Sequence, residues 1–457
     1  MESSGAGEAG TFLGRLARRA RESPIARGSL AVFLGNASST AISLVKSILL
    51  ARALGSDVFG LMTYALTLAS FASQFIDMRT GDNIVRFVGG AVAKKENVKA
   101  ATYFELGILI DLVTGFVALL AIRWIVVPIA GGHPQHETLQ MLILIYMWAV
   151  PLRLAMSPFG AMLVTLRRFS ILSTIQLLGR LGELASVLLL APLGVAVLVW
   201  AMVAVAAFEL LLYVACAAWL FWKRTGVWRG SDFRLAWREM RPFAVYGSLL
   251  GSLNSLTVNL DVVALGALRP ASEVSFYTIA RSAASVLTMA AGAVSQVIYP
   301  MLNEAWSLKN RRRVRQLIGR LVAVNGTLST AAVAFILLTA EWLVVLFYGR
   351  DFSPAAPVLR ILIVVIGLQT VTGWMRQVIL IAGHPKLDLV SGILGTGFYV
   401  LFLVPFIQWR GAVGLAVLLL LDVFVMVAAF AWILSSRIRL WSTPSSTAAG
   451  PDEGGSG

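Results

Sequence analysis

Twelve apolar runs, each longer than 20 residues, follow one another along this chain with only short polar connections. A run of about 20 apolar residues crosses the hydrocarbon core of a bilayer as a helix, which satisfies all its backbone hydrogen bonds internally. Only 13% of the residues are charged and 58% are hydrophobic, so no soluble catalytic domain is expected. The sequence predicts an all-α polytopic membrane protein of about twelve transmembrane helices, at 29–50, 58–78, 100–127, 138–163, 170–191, 194–222, 242–267, 274–302, 317–340, 356–382, 387–408 and 411–436.

The basic residues fix the expected orientation of these helices. With both termini in the cytoplasm, the inside segments hold 26 Lys and Arg residues, whereas the outside loops hold four. Cytoplasmic loops of membrane proteins carry such an excess. The net charge of +15 is therefore interpreted as a topology signal, and no nucleic-acid partner is expected. The predicted location is the inner (cytoplasmic) membrane of the cell.

The two halves of the chain resemble each other at an offset of about 215 to 217 residues. Gly194-Val-Ala-Val-Leu aligns with Gly411-Ala-Val-Gly-Leu, and the segment from Gly60 aligns with the segment from Ser275. Six is an even number of spans, so two such copies share one orientation and are related by an axis along the membrane normal. The alternative is a chance alignment of apolar helices. The expected division is a basic N-terminus at 1–27, a first six-helix lobe at 28–222, a basic linker at 223–241, a second six-helix lobe at 242–440 and a disordered tail at 441–457.

Several arginines fall inside the predicted spans. Arg153 and Arg180 lie ten residues from the inner ends of their spans, which places them roughly 15 Å deep at 1.5 Å per residue. An intramembrane guanidinium needs a wet cavity or a partner and marks a functional site by default. A cationic substrate-binding cavity is predicted, although Arg180 could instead form a structural pair with Glu183. The candidate cavity residues are Arg153, Arg180, Arg281 and Arg376.

Lys46 and Asp261 are equivalent under the repeat and carry opposite charges. We expect them to approach each other and to close the outer end of the cavity. The alternative is a lysine that reaches the interface and an aspartate bonded to a nearby asparagine. Ionisable acids inside spans are also candidate carriers of a coupling proton or sodium ion. These acids are Asp111, Glu183, Glu209 and Asp422.

Some classes of chemistry have no support in the sequence. The chain contains three histidines and one cysteine, which argues against a metal site, and it lacks phosphate-binding and dinucleotide-binding glycine motifs. No cofactor is expected. The loops between spans are short and poor in acids, so an enzyme is not expected either.

Three segments resemble the Wzx-type polysaccharide flippases of the multidrug/oligosaccharidyl-lipid/polysaccharide (MOP) exporter superfamily. They are Leu50-Ala-Arg-Ala-Leu-Gly-Ser-Asp-Val-Phe-Gly-Leu, Asn259-Leu-Asp-Val-Val-Ala-Leu-Gly and Phe347-Tyr-Gly-Arg-Asp-Phe-Ser-Pro-Ala-Ala-Pro-Val-Leu-Arg-Ile-Leu. The resemblance extends over 28–440. It implies a two-lobed alternating-access carrier that moves a polyprenyl-pyrophosphate-linked oligosaccharide to the outer leaflet through a cationic cavity, and polysaccharide-assembly proteins as possible partners. The alternatives are an ion-coupled drug or small-molecule antiporter of the same fold, and a membrane scaffold for glycan-assembly enzymes.

Overall fold

The structure is a computed structural model that describes residues 24–226, 230 and 232–438. The described part of the chain consists of helices and turns. The predicted tail at 441–457 and nearly all of the predicted basic N-terminus lie outside the described residues. The helices are α1 (Pro24–Gln74), α2 (Thr80–Ala93), α3 (Asn97–Ala121), α4 (His136–Tyr146), α5 (Ala149–Thr165), α6 (Phe169–Leu190), α7 (Val195–Thr225), α8 (Phe233–Leu268), α9 (Ala271–Ser307), α10 (Arg311–Tyr348), α11 (Ala355–Thr372), α12 (Trp374–Ile381) and α13 (Pro385–Ile433).

All twelve predicted runs fall on these helices. Two helices each contain two runs: α1 changes direction at Gly55, and α13 does so at Arg410 and Gly411, where the backbone leaves helical angles. Gly55 has a φ of 74° and Gly411 a φ of 54°, which glycine adopts without steric cost. Among the described residues, seven helical segments are long and apolar enough to cross a membrane by length and composition. The protein is an all-α, multi-pass membrane protein.

Four of the described helices end in the same kind of turn. After α2, α5, α9 and α12, one residue has positive φ, and the amide of the next residue donates to the carbonyl five positions earlier in the chain, as in Glu96 to Ala91. This is the Schellman termination of a helix. The positive-φ residues are Lys95, Arg167, Lys309 and Gly383. Lys95 corresponds to Lys309 and Arg167 to Gly383 at offsets close to those of the sequence repeat, so the repeat is also present in the backbone.

The repeat is further visible where the starts of the second and eighth spans meet. The Ser275 hydroxyl donates to the carbonyl of Ser56, and Gly60 lies against the carbonyl of Ala271. Ser56 corresponds to Ala271, and Gly60 to Ser275, at the offset of 215. Reciprocal contacts of this kind are what a two-fold axis produces. We call these four residues the crossed contact.

The chain divides into two compact units. The first contains the described residues of Met1–Ala283 with Thr339–Leu359 and Leu403–Leu415, and the second contains Ala284–Leu338, Arg360–Phe402 and the described residues of Ala416–Gly457. The first unit therefore holds the whole first half of the sequence together with short pieces of the second half. The lobe boundaries at 28–222 and 242–440 follow the sequence repeat and stay a prediction.

Candidate functional site: a cationic cluster around Glu183

Three basic side chains meet at one carboxylate inside the first unit. Glu183 Oε2 accepts from Lys46 Nζ at 2.6 Å and from Arg180 Nη1 at 3.3 Å, and Oε1 accepts from Arg153 Nη2 at 3.1 Å. The Glu183 side chain is 7% exposed, whereas those of Arg153 and Arg180 are 44% and 41% exposed. Both arginine side chains thus keep accessible surface, although each guanidinium donates a hydrogen bond to the buried carboxylate of Glu183. We call Lys46, Arg153, Arg180 and Glu183 the Glu183 cluster.

The side chains of the Glu183 cluster come from three helices, α1, α5 and α6, and the local sequence explains where two of these helices place them. Arg180 and Glu183 are one turn apart on α6, where residues three apart are neighbours. Arg153 follows a turn at residues 147–148 that separates α4 from α5, and Pro151, near the start of α5, packs on Gly115 of α3. A Cβ built on Gly115 would lie 3.0 Å from Pro151 Cβ. The Arg153 guanidinium lies 5.9 Å from the Tyr146 ring centre.

A second carboxylate, Glu209 on α7, lies beside the cluster. A Cβ on Gly179 would be 2.7 Å from Glu209 Oε2, so the glycine preceding Arg180 provides the space for this side chain. Glu209 is close enough to Arg153, Arg180 and Glu183 to interact with their charges. With three cations and two carboxylates, the group carries one net positive charge when all are ionised.

The predicted pair of Lys46 and Asp261 is corrected by the structure. Lys46 binds Glu183, and Asp261 Oδ2 accepts from Arg281 Nη1 at 2.7 Å and from the Tyr277 hydroxyl at 2.5 Å. The physical reason is the symmetry itself, because equivalent residues meet only if they lie on the two-fold axis. The crossed contact brings together the starts of the second and eighth spans, whereas Lys46 and Asp261 are on the first and seventh.

Arg281 and Arg376, predicted as cavity residues, each bind an aspartate. Arg281 is tied to the buried Asp261. Arg376 lies in the second unit and makes a two-point contact with Asp388, at 2.9 and 3.2 Å, with 59% of its side chain exposed. The sequence does not predict this pair, because Asp388 is 12 residues from Arg376 and lies beyond the turn at Gly383. The positive φ of Gly383 and the end of α12 bring the two side chains together.

The remaining candidate acids have different surroundings. Asp111 on α3 is 1% exposed and accepts from the Thr80 hydroxyl at 2.5 Å. Asp422 lies in the second unit beside Gly395, whose Cβ would be 3.3 Å from Asp422 Oδ1. One carboxylate oxygen of each has no hydrogen-bond partner among the described residues.

Several contacts in the first unit were missed at the level of sequence. Besides the crossed contact, Tyr64 packs on Gly266, where a Cβ would lie 2.3 Å from its ring, and Phe59 makes an edge contact with Phe352 at 6.3 Å between centres. The glycines at 60 and 266 could have indicated these close contacts, because both lie inside segments that carry the family resemblance.

The comparisons with known proteins agree with this architecture. The lipid II flippase MurJ, in an inward closed conformation, matches with a TM-score of 0.70 and 11% identity, covering 90% of this chain and 88% of that one. An inward-facing multidrug resistance MATE family transporter of the MOP superfamily matches with a TM-score of 0.68 and 15% identity, covering 88% and 94%. A MOP superfamily transporter from Pyrococcus furiosus, described as having a binding pocket of reverse polarity, matches with a TM-score of 0.59 and 16% identity, covering 91% and 95%. These likenesses show the MOP fold.

At the level of sequence, none of the curated proteins matches. The profile of the family described as "Polysaccharide biosynthesis protein" matches residues 25–306, which is more than half of the chain and includes the Glu183 cluster and the crossed contact. The resemblance to the polysaccharide flippases is thereby confirmed. This chain is a MOP-fold membrane protein that belongs to the polysaccharide biosynthesis protein family.

Proposed function

We propose that this protein is a flippase that moves a polyprenyl-pyrophosphate-linked oligosaccharide from the inner to the outer leaflet of the cytoplasmic membrane, with both of its own termini in the cytoplasm. The observation that carries the proposal is the Glu183 cluster. A lipid-linked sugar keeps its apolar tail in the bilayer, while its anionic head requires a polar, basic route. Half-exposed arginines inside the spans supply such a route, and the family membership agrees with this cargo.

The chemistry of the cluster suits a pyrophosphate. A guanidinium has five N–H donors in a planar fork that matches phosphate oxygens. Arg153 and Arg180 each use part of this fork on Glu183, and their side chains remain 44% and 41% exposed. A pyrophosphate can then bind both arginines while Glu183 keeps them in place. Because Glu183 offsets part of the positive charge of the arginines, binding stays weak enough for release, which a carrier requires.

We assign the closing of one side of the carrier to the crossed contact and to the Tyr64 and Phe59 packing. Opening toward the outer leaflet separates the starts of the second and eighth spans, and closing joins them again. Small residues at 60 and 266 allow a close, dry contact without charges. The protein in this proposal moves its cargo without chemical change, and polysaccharide-assembly proteins are its expected partners.

The experiment is to identify the lipids that stay bound to the protein purified in mild detergent. Wild type is expected to retain a polyprenyl-pyrophosphate glycan by mass spectrometry, and the Arg153→Ala/Arg180→Ala variant is expected to lose it. The matched control is Arg376→Ala, which removes an exposed arginine bound to Asp388 and should leave the lipid in place. Recovery of bulk phospholipid alone from all three proteins would contradict the proposal.

A drug or metabolite antiporter is the second candidate, favoured by the similarity to MATE transporters. An organic cation would bind the acids, Glu209 and Asp422, and would be repelled by the arginines. Under this alternative the double arginine variant binds cationic dyes more tightly than wild type does. A flippase shows no such gain, and a scaffold is insensitive to the substitution.

A further inference from the structure

Asp111 is the most deeply buried of the candidate acids, and none of the basic side chains that the structure describes is its counter-ion. Glu183, Asp261 and Asp388 each bind an arginine or a lysine. Asp111 is 1% exposed, and the described side chains form no salt bridge with it. Its Oδ1 has no hydrogen-bond partner in the described part of the chain. A buried carboxylate without a counter-ion is costly, and in a membrane it either carries a proton or binds a cation.

Within the described part of the chain, one side chain donates a hydrogen bond to Asp111, and it comes from the start of a second helix. Thr80, which is fully buried, donates from its hydroxyl to Asp111 Oδ2 at 2.5 Å. Thr80 is the first residue of α2, and the five residues before it, 75–79, are not helical. The chain therefore breaks directly beside the buried acid, between the second span and α2.

The break has no equivalent in the second half of the chain. At the repeat offset, residues 75–79 correspond to about 290–294, which lie within the continuous helix α9 (Ala271–Ser307). Discontinuous helices in transporters coincide with ion sites, because the break supplies free backbone groups and a point of movement. The helix break that distinguishes the first half from the second half therefore lies directly beside Asp111.

Other charged groups around Asp111 do not neutralise it. Asp77 in the break interacts with it as a like charge. Arg79, also in the break, is exposed and lies 3.9 Å from Asp82 of α2. From α5, Arg153 is held by Glu183, and Ser157 accepts from the amide of Gly81. On α3 itself, Glu105 accepts from the amide of Gly230.

We propose that Asp111 is the proton-binding site that couples flipping to a proton gradient, and that Thr80 transmits its protonation state to α2. This inference rests on the proposed function and names its energy source. A sodium ion requires several more oxygen ligands than the Thr80 hydroxyl, whereas a proton requires none. In the closed arrangement Asp111 is neutral and α2 is docked. Loss of the proton to water leaves a carboxylate that is stable only when hydrated, so α2 separates at the break.

The first test detects the proton directly. Infrared difference spectra of the protein in nanodiscs are expected to show the carbonyl band of a protonated carboxylic acid at neutral pH. The Asp111→Asn variant should lack this band, whereas Asp388→Asn, which removes a salt-bridged carboxylate, should retain it. A band that persists unchanged in Asp111→Asn would overturn the proposal, as would the absence of the band from wild type.

The second test measures the movement of α2 by hydrogen exchange, corrected for the intrinsic pH dependence of the rates. In wild type, exchange of residues 80–93 should become several-fold faster as pH rises. Asp111→Asn should keep this segment protected at all pH values, Thr80→Val should abolish the pH response, and Thr80→Ser should preserve it. A wild-type segment that responds to sodium and not to pH would overturn the assignment of a proton.

These results separate the two proposals. If the infrared band is lost in Asp111→Asn but purified wild type retains only bulk phospholipid, the proton site stands and the flippase function fails. If the glycan lipid is retained but the band persists in the variant, the flippase function stands and the proton site fails. Monodispersity and the melting temperature of each variant check that it is folded.

Discussion

Gly60 lies so close to Ala271 that a Cβ at position 60 would come within 1.8 Å of the Ala271 carbonyl oxygen. The reciprocal contact joins the Ser275 hydroxyl to the Ser56 carbonyl. Ser56 is equivalent to Ala271, and Gly60 is equivalent to Ser275, under the internal repeat. The two copies of the repeat therefore contact each other through equivalent residues. The proposed closing of the carrier depends on this contact.

Gly60→Ala should disrupt the crossed contact, because the added methyl group requires the second and eighth spans to move apart. Overpacking of this kind typically costs about 1–3 kcal/mol. The expected result is a lower melting temperature in detergent and reduced export of the polysaccharide. Gly392→Ala is the matched control, because a Cβ on Gly392 meets no atom within 4 Å. Equal melting temperatures for the two variants would contradict the prediction.

Cross-linking the same contact should stop transport. Ser56→Cys and Ser275→Cys are introduced together into a Cys216→Ser background, which removes the one native cysteine. Oxidation, or a short thiol-specific cross-linker, should join the two positions and abolish export, and a reductant should restore it. Each single cysteine variant serves as a control. Full export by the cross-linked protein would show that these spans do not separate during transport.

Glu183→Gln should destabilise the protein more than Asp388→Asn does. Removal of the Glu183 charge leaves Lys46, Arg153 and Arg180 close together with only Glu209 beside them to offset their charge, and breaking a buried pair costs on the order of 3–5 kcal/mol. Because both arginines are partly exposed, the loss should fall at or below the lower end of that range. The exposed Arg376–Asp388 pair should contribute about 0–1 kcal/mol. Thermal melting of both variants in one detergent measures the difference.

Exchanging the charges of Lys46 and Asp261 should not restore function. Lys46→Asp places a second acid beside Glu183, and Asp261→Lys places a cation beside Arg281, so the double variant should be worse than either single variant. By contrast, Lys46→Glu combined with Glu183→Lys preserves one opposite-charge pair and should recover part of the stability lost in Lys46→Glu. Export and melting temperature of the five variants decide between the two pairings.

Much of the fold followed from local sequence. The apolar runs predicted the helices because a bilayer admits few other structures, and the offset between Gly194 and Gly411 predicted a repeat that the helix-terminating turns also show. Arg153, Arg180 and Glu183 were candidate site residues because of their predicted depth alone. Their contact could be anticipated only for Arg180 and Glu183, which share one helix face.

The partners of the other charges could not be predicted, because they depend on which helices are neighbours. Lys46 is 137 residues from Glu183, and no periodicity relates α1 to α6. The Arg376–Asp388 pair required the turn at Gly383, and the isolation of Asp111 required the break at 75–79. Hydropathy reports the environment of each helix but not the identity of its neighbours.

The sequence by itself determined the class of this protein: an all-α, multi-pass, internally repeated membrane protein with basic residues inside its apolar runs. Those properties are local, because each residue has its own free-energy cost for burying a charge or for leaving a backbone group without a hydrogen bond in lipid. Only the tertiary structure decided that three cations share Glu183, that Lys46 and Asp261 have separate partners and that no described basic side chain pairs with Asp111. Ion pairing acts over a few ångströms, and only helix packing brings residues more than a hundred positions apart within that distance.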